Sequence, residues 1–194
     1  MSSNFTDSAK ARESLGKLPG ELKKRPKPSA SSRVLEELKT AGTDTPLTTL
    51  TEEQATKVAG PNVDLSPVWF KLQDIESLKK YMASTIQYLD LSNNELSTLT
   101  NLPEMTKLKH FFANSNNITV MNFSGFRSVE HLAVTNNRIS SIPGNVDAMK
   151  KIVYFDLSHN AIISGFDKLS KLKTLRVLDL SFNDINMTLP EFHK

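Results

Sequence analysis

The residues best placed for chemistry in this sequence are two histidines, His110 and His131, and the carboxylate of Asp90. The histidines occupy equivalent places in neighbouring copies of a short motif, so with Asp90 they could hold a metal ion or titrate together near neutrality. A closed zinc site wants four ligands and only three can be named, so we expect neither a metal nor a cofactor. Nucleophilic chemistry finds less support. The chain has no cysteine, which removes thiolate catalysis, disulfides and thiolate metal sites. Serines are plentiful, but no G-x-S-x-G elbow and no phosphate-cradling glycine loop occurs, and seven glycines leave little to build one from. The sequence reads as non-enzymatic.

What positions these side chains is a repeat. IQYLDLSNNEL begins at Ile86 and returns as LKHFFANSNNI from Leu108, VEHLAVTNNRI from Val129, IVYFDLSHNAI from Ile152 and LRVLDLSFNDI from Leu175. Aligning the copies puts Asn94, Asn116, Asn137, Asn160 and Asn183 in one column, separated by 22, 21, 23 and 23 residues. Within each copy the residues alternate as in a short strand, so Leu89 and Leu91 point inward while Tyr88, Asp90 and Ser92 face solvent. Each asparagine sits where the strand must turn, and its amide can satisfy backbone groups otherwise buried without partners. Apolar residues recur in the return halves: Leu99, Leu102 and Met105; Val120, Phe123 and Phe126; Ile142, Val146 and Met149; Phe166, Leu169 and Leu172.

This pattern resembles the leucine-rich-repeat family, whose L-x-x-L-x-L-x-x-N-x-L core is present in all five copies with Ile, Val, Phe or Ala standing in for leucine. The resemblance implies an α/β solenoid, with a short curved parallel sheet on the concave side and turns and short helices on the convex side. The repeat lengths are similar to the intracellular class of about 22 residues, although Ile142-Pro143 and Leu189-Pro190 leave receptor-like repeats open. Partners of this family commonly lie on the concave face. That places Tyr88, His110, His131 and Tyr154 in an aromatic stripe beside Phe112, with Asp90, Asp156 and Asp179 in the next column. These eight are the expected partner-binding residues, since rigid rings with polar tips are favoured at binding hot spots. Cross-strand packing of the rings on one another is the competing explanation. Arg127, Lys150 and Lys173 recur at one repeat position as a basic ridge, for which a solvated face is the simpler reading.

The rest of the chain divides by composition. Residues 1–33 hold eight Lys/Arg against three Asp/Glu, leaving 16 against 18 for the remainder, so the basicity belongs to the tail. We expect residues 1–32 to be a disordered tail, and 33–83 a helical flank with short helices at Arg33–Thr40 and from Thr51-Glu52-Glu53. Ser66-Pro67 reads as an N-cap with proline at the first helical position. The spacing of Val68, Leu72, Ile75, Leu78 and Met82 predicts a capping helix over 67–82. Residues 84–194 form the repeat domain, whose fifth copy is incomplete, as in a piece of a longer protein. We expect a binding adaptor or scaffold, or alternatively the sensing region of a larger signalling protein such as a repeat-bearing kinase. The partner is a protein, not a specific nucleic acid, because the repeat region is nearly neutral. With no spanning helix or secretory signal, a cytoplasmic protein is expected. Lys23-Lys24-Arg25-Pro26-Lys27-Pro28 could add nuclear entry, and secretion, which the N-x-Ser/Thr triplets at Asn4, Asn117, Asn122 and Asn186 would serve, is less favoured.

Overall fold

The computed structural model describes residues 26–30, 32–40, 46–67, 70–100 and 102–186. Helices α1 (Ser32–Thr40) and α2 (Glu52–Val58) precede strand β1 (Asn62–Asp64) and helix α3 (Lys79–Ser84). The repeats then supply β2 (Tyr88–Asp90), β3 (Thr98–Leu99), β4 (His110–Phe112), β5 (Val120–Met121), β6 (His131–Ala133), β7 (Tyr154–Asp156) and β8 (Val177–Asp179). The main sheet is parallel in the order β1-β2-β4-β6-β7-β8. A second parallel pair, β3-β5, forms in the return halves, followed by 3-10 turns at Val146–Ala148 and Phe166–Lys171.

Each repeat is too short to bury its own apolar side chains, so the core is shared between neighbours. Leu89, Phe111, Leu132 and Phe155 of the strands, with Leu91 and Val134 just after them, are fully or nearly fully buried against Leu99, Met105, Phe123, Ile142, Val146 and Met149 of the return halves. Four phenylalanines, three in the second repeat and one in the fourth, meet edge to face: Phe111 with Phe126, Phe123 with Phe126, and Phe123 with Phe155, at 5.1, 5.8 and 5.8 Å between ring centres. Such contacts add to what burial alone contributes. Val120, expected in this core, is 54% exposed, and Met121 is buried in its stead. The β3-β5 pairing fixes which of the two faces inward. Gly125 is required by close approach, since a Cβ there would lie 2.3 Å from the Pro103 carbonyl oxygen.

Two expectations are corrected at the N-terminal side. The sheet begins at Asn62, within the segment 33–83 expected to be a helical flank, because Val63-Asp64-Leu65-Ser66 makes a further repeat strand paired in register with Tyr88–Asp90. Among the described residues, the capping helix expected over 67–82 is realised from Glu76 to Ser84, as one 3-10 turn running into α3. Residues 70–73 instead run outside any helix and are held from two sides. Lys71 and Gln73 N–H groups donate to the Leu47 and Thr48 carbonyls, while Leu72 N–H donates to Asn94 Oδ1 at 2.8 Å. A helix would use those donors internally, and three long-range bonds outweigh local propensity. The apolar positions are still buried: Leu72, Ile75, Leu78 and Met82 all lie in the core.

Most of residues 1–32 falls outside the described residues, but 26–30 runs beside β1. Ser29 N–H donates to the Asn62 carbonyl at 2.7 Å, and Ser29 Oγ accepts from Asn62 N–H at 2.9 Å. A sheet edge presents unpaired donors and acceptors, and these five residues satisfy part of one. Ser32–Thr40 and Glu52–Val58 form helices at the places expected for short helices. The second is closed by a capping box between Thr51 and Gln54.

Candidate partner-binding face

Turn chemistry sets the outer face of the main sheet. In four repeats the aspartate of the D-L-S triplet accepts a hydrogen bond from the serine N–H two residues later. Asp64 takes Ser66, Asp90 takes Ser92, Asp156 takes Ser158 and Asp179 takes Ser181, at 2.9 to 3.0 Å. The two repeats without this aspartate borrow an acceptor from the preceding repeat. Asn114 N–H donates to Ser92 Oγ at 3.1 Å, and Thr135 N–H to Asn114 Oδ1 at 2.9 Å. Phe112 and Ala133 can therefore stand in the aspartate column without leaving a buried N–H unpaired.

The asparagine column completes the turn. Each side chain donates from Nδ2 to carbonyls of its own and the preceding repeat. Asn94 reaches Leu65, Leu91 and Ser92. Asn116 reaches Leu91 and Ala113, Asn137 Ala113 and Val134, Asn160 Val134 and Leu157, and Asn183 Leu157 and Leu180. Each Oδ1 accepts a backbone N–H from the preceding repeat: Leu72, Leu96, Ile118, Ile139 and Ile162. The residue before each asparagine has a left-handed backbone: Asn93, Ser115, Asn136, His159 and Phe182, with φ from 53° to 61°. That conformation suits asparagine and is costly for a bulky residue such as Phe182.

Strand register brings Tyr88, His110, His131 and Tyr154 side by side, with Val177 next in line. The His110 and His131 rings stack at 4.9 Å and 15°, and Tyr88 and Tyr154 lie beyond them at 6.1 and 6.3 Å. Phe112 packs on Tyr88 at 5.4 Å. The expectation that this face is open to solvent is corrected. Tyr88, Phe112 and Tyr154 are 5%, 6% and 4% exposed, and Asp90 and Asp156 are buried as well. Strands about 4.8 Å apart put like positions in van der Waals contact, so large side chains in one column cover each other. Tyr88, Phe112 and Ala133 make a small apolar cluster separate from the main core. His110, His131 and Asp179 remain partly accessible.

Burial also sets the ionisation of this face. Desolvation holds His110 below the ordinary imidazole value, with Glu130 opposing and Lys109 assisting. His131 is pushed down to about 4 by desolvation and then by its neighbour His110, against Glu130. Both rings are therefore neutral at physiological pH. Burial raises Asp156 above the usual carboxylate range, opposed by hydrogen bonds from Ser158 and Tyr154. Burial and the Asp156 carboxylate beside it push the Tyr154 hydroxyl up. Among the described residues, no three His, Asp or Glu side chains converge as metal ligands. Asp90 lies beside the histidine pair in the sheet, but its Oδ1 is engaged in its own turn.

Models of the leucine-rich repeat match residues 85–105 and 127–185. This is a leucine-rich-repeat protein. A probable inactive serine/threonine-protein kinase of Dictyostelium discoideum is 42% identical over 111 residues, which cover 56% of this chain and 6% of the relative. Lumican of Gallus gallus is 38% identical over 85 residues, 42% of this chain and 25% of that protein. The leucine-rich-repeat chain thus spans a small part of these relatives' lengths. Among solved structures it is similar to the TLR13 complex with ssRNA13 (TM-score 0.65, 23% identity, 77% of this chain and 22% of that one). It is also similar to the Drosophila melanogaster SNF/U2A' complex (TM-score 0.56, 21% identity, 76% and 90%). At these identities the structures establish the solenoid fold. Leucine-rich-repeat domains generally serve as protein interaction modules, and no helix among the described residues is long and apolar enough to cross a membrane.

One repeat and one set of bonds escaped the sequence reading. Val63-Asp64-Leu65-Ser66 carries the D-L-S signal, but Pro67 and Val68 follow where the other copies have a turn residue and asparagine. The borrowed acceptors of Asn114 and Thr135 have no signal within a single repeat.

Proposed function

We propose that this chain is a non-enzymatic adaptor that binds a protein partner on its concave face, centred on His110 and His131. The observation that carries the reading is the unbroken ladder from Tyr88 to Tyr154. It presents two neutral, half-exposed imidazoles on a floor made rigid by buried rings. A preorganised surface of this kind loses little entropy on binding. Tyr88, Phe112, Tyr154, Asp90 and Asp156 act here as the packed support, and Asp179 supplies charge at the open end of the face. Complexes with protein partners among similar folds, such as Toll with Spatzle, are consistent with it. The test is affinity purification from the native cell with the wild type and a His110→Asp, His131→Asp variant of confirmed circular dichroism. Loss of the partners supports the concave face, and full retention overturns it.

A second reading, the recognition region of a larger signalling protein, is favoured by the Dictyostelium kinase-like relative, of which the matched segment is 6%. A full-length transcript from the source organism decides it: a catalytic domain in the same reading frame supports it, and its absence overturns it. We place the protein in the cytoplasm on its lack of cysteine, with a fluorescent fusion as the check.

A further inference from the structure

A second surface lies along the edge where the strands begin. Two adjoining grooves of about 300 and 460 Å³ share Glu130 and Lys151 and so form one trough whose lining comes from five repeats. Its cations are Lys107, Lys109, Lys151, Lys173 and Arg176, and Glu130 is its one carboxylate. Five positive groups against one negative leave +4 there, although residues 34–194 as a whole carry 16 Lys/Arg against 18 Asp/Glu. Glu130 engages Lys109 at 3.8 Å. Lys107, Lys151 and Arg176 are exposed and have no acidic partner among the described residues.

The backbone at this edge is already used. The N–H groups of Lys109, Glu130, Val153 and Arg176 each donate to the carbonyl one repeat back, and each of those carbonyls accepts a second bond. Recognition there must come from side chains. We propose that the trough binds an extended acidic peptide of a partner protein, with an apolar residue between its carboxylates. Val153 and Leu175 give the trough an apolar floor between the basic groups. From β4 to β8 is three strand spacings, roughly 14 Å, which an extended peptide covers in about four or five residues. A nucleic acid fits worse. No aromatic ring lines the trough to stack a base.

The probe is a dye-labelled peptide, acetyl-Glu-Glu-Leu-Glu-Glu-amide, titrated by fluorescence anisotropy against the full chain at low and physiological salt. Lys151→Glu with Arg176→Glu weakens binding by at least about tenfold, and Glu130→Gln tightens it. Both sites are exposed, so thermal melting of the variants matches the wild type. Because the N-terminal tail is also basic, a chain with Lys23, Lys24, Arg25 and Lys27 changed to alanine is the control, and it keeps the affinity. The proposal is overturned by unchanged affinity in the Lys151/Arg176 variant, by loss of affinity in the tail control, or by no saturable binding up to about 1 mM. It is equally overturned if a twelve-nucleotide oligouridine binds the same lysines more tightly than the peptide.

Discussion

The first and last described strands of the main sheet carry nearly the same four residues, Val63-Asp64-Leu65-Ser66 and Leu178-Asp179-Leu180-Ser181. Their turns are nearly identical. In both, the aspartate accepts the serine N–H at 2.9 to 3.0 Å and the serine hydroxyl at 2.6 Å. Their burial is not. Val63 and Leu65 are sealed by Phe70, Leu72 and the rest of the flank, whereas Leu178 is 37% exposed and Phe182 73% exposed. Among the described residues β8 has a neighbour on one side only. Local geometry is thus written inside each repeat, and stability is supplied by what stacks against it.

The asparagine column gives the largest effect with which to break that comparison. Asn94→Ala leaves four buried hydrogen bonds without a partner and costs about 4 kcal/mol, whereas Asn183→Ala, half exposed, costs about 1 kcal/mol. Urea unfolding of the two variants reads the difference, and equal losses would mean that the ladder acts locally and not through its neighbours. Leucine truncation follows: Leu65→Ala costs about 3 kcal/mol and Leu180→Ala about 1 kcal/mol in the same assay.

Acid provides the next probe, this time of the middle of the sheet. The unfolded chain protonates His131 as pH falls through 6.5, while the folded chain resists until about 4. Stability is therefore complete above 6.5 and lost across that window, with His110 acting in the same direction. Asp156 has a raised value and acts in the opposite sense at lower pH. Melting temperature falls from pH 7 to pH 5, and His131→Gln flattens the fall. An unaltered pH profile in that variant would remove the histidine stack as its cause. The smallest effect is at the exposed rim, where Phe182 holds a left-handed backbone and stacks on His159 at 4.2 Å. Phe182→Asn relieves the backbone and gives up the stack, for a net gain of about 0.5 kcal/mol in thermal unfolding.

The same contrast explains what was legible in the sequence. Period-two alternation and the asparagine register assigned Leu89, Phe111, Leu132 and Phe155 to the inside, and these are fully buried. They also assigned Tyr88, His110, His131 and Tyr154 to one stripe, because both signals lie within a repeat or at a fixed step between repeats. Alternation names a side of the sheet but not what covers it, so the burial of Tyr88, Phe112 and Asp156 was not visible. Nor was the strand at Asn62–Asp64, since Pro67 and Val68 stand where the other copies have a turn residue and the asparagine that marks the register. The helix expected over 67–82 is absent at 70–73 because donors there are claimed by Leu47, Thr48 and Asn94.

The most direct test of the proposed concave recognition face is site-specific cross-linking in the native cell. A photoreactive residue is placed at His110 in one chain and at the exposed, convex-side Ile163 in another. The concave-face reading predicts a discrete partner adduct from position 110 and none from position 163. An adduct from 163 alone would contradict it and move recognition to the other side of the solenoid.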